Sequence, residues 1–233
     1  MGGCLQVDVI TIFPGMLAGF LGESMLKRAA RAGAVEFRVL DLRDFTTDKH
    51  RTTDDRPYGG GPGMVMKPEP VFAAVESVRT PESRVILMTP QGRRFDQAAA
   101  RELSGASHLV FVCGHYEGVD ERIRTGLVTD EISIGDYVLT NGVLPAAVVI
   151  DSVVRLRPGV LGGEGATVEE SFNEGLLEYP QYTRPPEFRG ARVPEVLVSG
   201  DHEAVRTWRR ERSIERTAQR RPDLAGRPAQ DKV

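Results

Sequence analysis

Glu131-Ile-Ser-Ile-Gly-Asp-Tyr-Val-Leu-Thr-Asn-Gly-Val-Leu-Pro145 is the stretch that decides the fold. It starts as the end of an apolar strand, with Val128, Ile132 and Ile134, and breaks at Gly135. A second short apolar piece, Tyr137-Val138-Leu139, is broken again at Asn141-Gly142. Pro145 then opens a helix, because the first helical turn has no use for the amide hydrogen that proline lacks. Two breaks so close together in apolar chain predict a backbone that turns sharply while buried. Buried irregular backbone carries peptide groups that need partners. A ligand with ring nitrogens and an amino group supplies them on one reading; on the other, the stretch is only a tight buried turn between strand and helix.

The flanks alternate. Residues 5–13 read as a first buried strand, and 16–32 has helical spacing with a break near Gly22 and a stop at Gly33. Residues 35–42 form a second strand, 45–70 show no periodicity, 69–78 read as a helix and 84–88 as a strand. Thr89-Pro-Gln-Gly92 turns the chain, and Asp96 caps a helix to about Leu103. Then come a strand over 108–113, a short helix over 120–126 and a strongly apolar helix over 145–156. Strands alternating with helices indicate an α/β domain with a mostly parallel sheet. After Pro158 the composition changes. Residues 161–170 are glycine-rich and acidic, the composition of a flexible linker or lid. A smaller segment follows, with a long helix from about Asp201, capped by Ser199 or Gly200, to near Arg220, where Pro222 ends it.

The net charge of −3 is unevenly spread. Between Asp130 and Tyr182 nine acids face two bases, while 206–221 holds seven arginines against Glu211 and Glu215. A basic tail on an acidic body suggests an anionic partner, or a solvated amphipathic helix. Cys4 and Cys113 have no paired spacing, which fits a reducing cytoplasm and no disulfide framework. No run reaches the roughly 18 apolar residues of a membrane span, no signal peptide is read, and Gln6 does not support myristoylation at Gly2.

In open α/β sheets, ligands bind at the carboxyl ends of strands. Three such ends carry glycine-containing loops: 89–92, 114–118 and 134–142. There is no Gly-x-Gly-x-x-Gly, no Gly-Lys for a phosphate loop and no Gly-x-Ser-x-Gly elbow, so neither a nicotinamide fingerprint nor an ordinary ATPase is supported. The four histidines lack metal spacing, and His108 and His115 read as polar strand-edge or turn residues.

Motifs in a fixed order carry a more specific signal. They are Asp55-Arg-Pro-Tyr-Gly-Gly-Gly-Pro-Gly-Met64, Pro90-Gln-Gly-Arg93, Cys113-Gly-His-Tyr-Glu-Gly-Val-Asp-Glu-Arg122, Ser133-Ile-Gly-Asp-Tyr-Val-Leu139, Asp151-Ser-Val-Val-Arg155, Pro158-Gly-Val-Leu161, Tyr182-Thr-Arg-Pro185 and Val196-Leu-Val-Ser-Gly200. Together they closely resemble the bacterial tRNA (guanine-N1)-methyltransferases, over nearly the whole chain. The resemblance implies a SPOUT-type fold: an α/β, mostly parallel sheet with a trefoil knot at its C-terminal part, plus a small, mainly helical C-terminal domain. It implies an S-adenosylmethionine-binding domain over 1–160, a lid or linker over 161–176 and a tRNA-binding domain over 177–233. By similarity the cofactor is held by Leu87, Met88, Thr89, Pro90, Gln91, Gly114, Ser133, Ile134, Gly135, Asp136, Tyr137, Val138, Leu139, Gly142 and Pro145. The family also implies dependence on Mg²⁺, tRNA as partner, no membrane, a cytoplasmic location and an antiparallel homodimer with each active site shared between subunits. The apolar helix over 145–156 suits that interface, and the Asp54–Met64 loop would help form the dimer and tRNA surface.

The reaction implied is methyl transfer to N1 of the guanosine immediately 3′ of the anticodon. N1 bears a proton at neutral pH, so a base must remove it, and a carboxylate with a raised pKa suits that work. Charge then builds on O6, where a cationic donor is needed. Arg155 matches the family's arginine, and its fork suits that role. The family's base is an aspartate before Ser-Phe; here Glu170 stands in its place, ahead of Ser171-Phe172, one methylene longer. Glu117 is the second candidate carboxylate, placing the base or a magnesium ion. Phosphates would fall to the tail arginines, Arg51 and Arg56, and Trp208 reads as a packing residue of its helix. The alternatives are a SPOUT relative acting on another RNA, and a non-catalytic RNA-binding relative.

Overall fold

The structure, a computed structural model, describes residues 3–162 and 170–224 and divides into two compact units, Met1–Gly162 and Gly163–Val233. The first unit runs β1 (Leu5–Thr11), α1 (Gly15–Leu21), α2 (Ser24–Arg31), β2 (Val35–Asp41), a 3-10 turn (Leu42–Phe45), β3 (Asp54–Asp55), β4 (Val65–Met66), α3 (Pro68–Val78), β5 (Arg84–Arg94), α4 (Gln97–Ser104), β6 (His108–Cys113), α5 (Glu121–Leu127), β7 (Asp130–Ser133) and α6 (Val143–Val154). Five strands form one sheet in the order β2-β1-β6-β5-β7, every pairing parallel. β3 and β4 make a separate small antiparallel pair.

The parity of side chains along each strand builds two cores. Leu5, Val7 and Val9 of β1, Ile86 and Met88 of β5, and Leu109, Phe111 and Cys113 of β6 point to the face packed by α6, with Leu17 of α1, Leu26 of α2 and Leu103 of α4. Ile10, Val85, Leu87, Val110 and Val112 point the other way, against Val71 and Val75 of α3 and Ile123 and Leu127 of α5. A strand buried on both faces needs an unbroken apolar run, and β6 is buried at every position. Burial pushes the Cys113 thiol well above its ordinary range.

Several expectations need adjusting. β5 does not stop at Met88. It pairs with Ile132 of β7 through Met88, lets residues 89–92 leave the ladder, and pairs with Ile132 again through Arg93. A β-carbon on Gly92 would stand 2.4 Å from the backbone of Glu131 and Ile132, so two main chains cross with no room for a side chain. Arg84 bridges the same region, binding Asp130 of β7 through Nε (3.0 Å) and Glu102 of α4 (2.6 Å), and Arg93 reaches Glu102 at 3.0 Å. The bond from Arg84 holds the Glu102 carboxyl below its ordinary pKa. Burial works to raise that of Asp130, but Arg84 and Thr129 outweigh it and hold it low.

The Gly135–Gly142 stretch is buried only at its two glycines; residues 136–140 are exposed, Tyr137 at 54% and Val138 at 83%. α6 begins at Val143, two residues before Pro145, with Asn141 Oδ1 accepting from the Val143 amide at 2.9 Å. His108 is no edge residue. It is buried, with Nε2 2.8 Å from Asp8 Oδ2 and Nδ1 2.7 Å from Ser83 Oγ, while Arg38 of β2 donates to both Asp8 oxygens at 2.6 and 2.7 Å. A polar chain thus ties the middles of β2 and β1 to the first residue of β6.

The second unit has a short hairpin, β8 (Glu187–Phe188) and β9 (Ala191–Arg192), a 3-10 turn (Glu195–Val198) and α7 (His202–Arg220), followed by a final turn (Pro222–Leu224). Asp201, rather than Ser199 or Gly200, caps α7, accepting from the amides of Glu203 and Ala204 at 3.0 Å. Residues 171–177 form turns and bends. They dock on α7 where Thr217 Oγ1 accepts from the Leu177 amide at 2.8 Å. Of the lid expected over 161–176, residues 163–169 lie outside the described residues. No helix among the described residues is long and apolar enough to cross a membrane.

Candidate functional site

A cavity of about 370 Å³ opens at the carboxyl ends of β6 and β7 and at the gap in β5. All three glycine-containing loops reach it, because parallel strands deliver their following loops to one edge of the sheet. Leu87, Met88, Thr89, Pro90 and Gln91 line it from β5, Gly114 from the end of β6, and Ser133, Ile134 and Gly135 from β7 and its exit. Tyr137, Val138, Leu139, Gly142 and Pro145 complete the wall. Asp136 is exposed and takes no part in the lining. His115, Tyr116, Thr140 and Asn141 also line the cavity; they lie in the 114–118 and 134–142 loops expected at the strand ends, outside the set expected to hold the cofactor.

The wall is held open by its own backbone. Gly142 donates to Gly114 O at 2.8 Å, and His115 and Asn141 form an antiparallel bridge. A β-carbon on Gly142 would lie 2.9 Å from Cys113 Cα, so only glycine lets the start of α6 pass the end of β6. Ser133 Oγ donates to Gly135 O (3.0 Å) and accepts from Gly135 N (3.2 Å), fixing the exit of β7. The apolar side chains of Leu87, Leu139 and Pro145 beside main chain at Gly114 and Ile134 fit an adenosyl group: a flat ring on apolar surface, its polar edge on peptide groups.

Glu117 belongs to the same lining. Its amide donates to Met64 O at 3.0 Å, and Met66 N donates to Gly118 O at 2.9 Å, so the glycine-rich loop before β4 is fastened to the cavity rim. Arg155 caps the C-terminus of α6 and does not line the cavity. Glu170 belongs to the second unit. There it lines a smaller cavity of about 280 Å³ with Glu174, Tyr179, Arg206, Arg209 and Arg210. Arg209 lies over the Tyr179 ring at 4.7 Å, and Arg210 pairs with Glu174 at 2.6 Å. Trp208 is half-buried and 6.3 Å from the Tyr182 ring. Among the described residues no group of three or more His, Cys, Asp or Glu gathers to hold a metal ion.

Comparison with known proteins bears on this geometry directly. Residues 5–227 match the family model described as tRNA (Guanine-1)-methyltransferase TrmD. A protein of Geobacillus kaustophilus named tRNA (guanine-N(1)-)-methyltransferase is 58% identical over 222 residues, covering 94% of this chain and 91% of its own. Proteins of the same name from Bacillus cereus (58% over 224 residues) and Moorella thermoacetica (57% over 227 residues) cover 94% and 96% of this chain and 91% of their own. The match runs through both units and every loop of the cavity, and on that ground the chain belongs to the tRNA (Guanine-1)-methyltransferase family.

Proposed function

We propose that this protein transfers a methyl group from S-adenosylmethionine to N1 of the guanosine immediately 3′ of the anticodon in tRNA. The observation that carries the reading is the cavity at the ends of β6 and β7 and the gap in β5, walled by main chain and apolar side chains, in a chain of this family. The family is of the SPOUT class; the trefoil knot is part of the proposal, supported by the tight main-chain crossings at Gly92 and Gly142.

When bound, S-adenosylmethionine supplies an electrophilic methyl group. The chain's own residues do the rest. Leu87 to Gln91, Gly114, Ser133 to Gly135, Tyr137 to Leu139, Gly142 and Pro145 would hold the cofactor. Glu170 removes the N1 proton, its carboxylate doing the work of the family's aspartate from a side chain one methylene longer. Arg155 donates to O6 as charge builds there, and Glu117 positions the base. Orientation is the larger part of such an in-line displacement. Magnesium dependence rests on the resemblance alone.

The assembly belongs to the same proposal. Met16 and Phe20 of α1 and Leu144 and Val148 of α6 are exposed and line one shallow apolar groove, which supports a homodimer with each site shared between subunits. The second unit, with its arginine-rich α7, is read as the tRNA-binding domain, and the cytoplasm as the place where tRNA is met.

The test uses labelled S-adenosylmethionine and two tRNA transcripts, one with guanosine 3′ of the anticodon and one with adenosine, with the digested nucleosides identified. N1-methylguanosine from the first transcript alone is expected. Transfer to neither, with cofactor still bound, would move the reading to another RNA or to a non-catalytic relative. Glu170→Asp separates those two, since it would restore transfer only if the longer side chain were the fault.

A further inference from the structure

Gly92 and Gly142 press against main chain, but Gly63, the last glycine of the loop before β4, faces a side chain. A β-carbon there would lie 2.5 Å from Cγ and 2.8 Å from Cδ of Glu117, with Oε1 closer still. The Glu117 side chain therefore lies across the open face of Gly63. Its backbone is tied to the same strip of chain. The Glu117 amide donates to Met64 O at 3.0 Å, Met66 N donates to Gly118 O at 2.9 Å, and Met66 and Val119 form a bridge. The carboxylate has no such ties: Glu117 is exposed, and among the described residues none donates a hydrogen bond to its side chain. A long side chain in that position keeps much of its rotamer freedom unless packing removes it. The packing surface here is the bare backbone of Gly63.

We propose that Gly63 is a positioning residue, the seat that holds the Glu117 carboxylate at the cavity wall. The inference rests on the methyltransferase reading, in which Glu117 positions the base. Such a group works only in a geometry set beforehand, and a misplacement of about 1 Å costs on the order of 10²-fold in rate. A methyl group at position 63 would leave the loop fastened, because what it meets is a flexible side chain rather than main chain. Glu117 would turn aside, and its carboxylate would leave its place. Gly63 also has φ 81°, which strains any residue with a β-carbon. The same loop separates strain from collision. Gly60 has φ 78°, yet a β-carbon on it would meet nothing within 4 Å. Alanine at either position carries the same strain, and only at position 63 does it displace a carboxylate.

The experiment uses the full-length protein and compares Gly63→Ala, Gly60→Ala, Glu117→Gln and the double variant Gly63→Ala with Glu117→Gln. Single-turnover transfer at saturating tRNA gives the rate, and calorimetry gives S-adenosylmethionine affinity. Gly60→Ala is the reference for backbone strain. Gly63→Ala should fall about 10²-fold below it in rate, with cofactor affinity and the KM for tRNA equal in the two. Adding Gly63→Ala to Glu117→Gln should cost nothing more, since the carboxylate it displaces is already gone. Equal rates in the two alanine variants would reduce Gly63 to a backbone requirement and overturn the seat. Additive losses in the double variant would overturn it too, because the effect of Gly63 would then not pass through Glu117. Loss of S-adenosylmethionine affinity in Gly63→Ala alone would assign the glycine to the cofactor instead. Wild-type turnover in Glu117→Gln would remove Glu117 from the mechanism and the seat with it, leaving the methyltransferase reading intact. No methylation by wild-type protein would end that reading itself.

Discussion

Glu170 stands where the family pattern has an aspartate, and the two acids differ in reach rather than in chemistry. Glu170→Gln should lower kcat by about 10² or more, the usual worth of a positioned base, with cofactor affinity kept; near-normal turnover would remove it from the role. Arg155→Ala should likewise reduce turnover far more than cofactor binding, measured by single-turnover transfer beside calorimetry. Gly142→Ala should do the reverse and abolish cofactor binding, because its β-carbon would meet Cys113 Cα at 2.9 Å. Residues of this last kind were legible in the sequence: glycines that break an apolar run announce main chain approaching something closely. The contact of His115 with Phe13 and the Asp8–His108 pair were not. Their partners come from distant chain, Asp8 reaching across 30 residues to Arg38 and 100 to His108, and no local pattern records such meetings.

At the scale of elements, periodicity found nearly every helix and strand of the first unit, since each is either doubly buried or carries one apolar stripe. It failed where β5 resumes after a gap, because Arg93 and Arg94 are polar and their pairing is set by β7 rather than by their own side chains. That second half is braced by Arg84 with Glu102 and Asp130. Both carboxyls sit below their unfolded values near 4, so the stability they add is fully present above about pH 4.3 and is lost as pH falls through their lowered folded values. Arg84→Gln should therefore lower Tm at pH 7, and the gap from wild type should shrink towards pH 3 in thermal melts. The apolar groove of α1 and α6 invites a separate check. Leu144→Asp combined with Val148→Asp should halve the sedimenting mass and remove activity if that groove is the subunit contact.

For the molecule as a whole, charge separates the labour. The second unit carries the arginine-rich α7, but Arg210 is engaged with Glu174 and Arg212 with Glu215, each at 2.6 Å. Exposed pairs of this kind contribute about 0–1 kcal/mol, so a phosphate can take the arginine over at little cost. Neutralising Arg209, Arg210 and Arg212 should weaken tRNA binding and reduce the salt slope by about 2–3, roughly 0.7–0.9 for each phosphate no longer neutralised. An unchanged slope would put the RNA surface elsewhere. The composition changes after Pro158, but the turns over 171–177 leave no mark in it, because their order comes from docking on α7. The cavity wall has a further consequence, for drug resistance. A competitor gripping main-chain groups at Gly114, Ile134 and Gly142 meets a surface that point mutation can scarcely rewrite without unseating the crossings beneath it. Escape under such a compound is steered to Tyr137, Val138 and Leu139, whose side chains reach the cavity from exposed positions and can change while the fold stays whole.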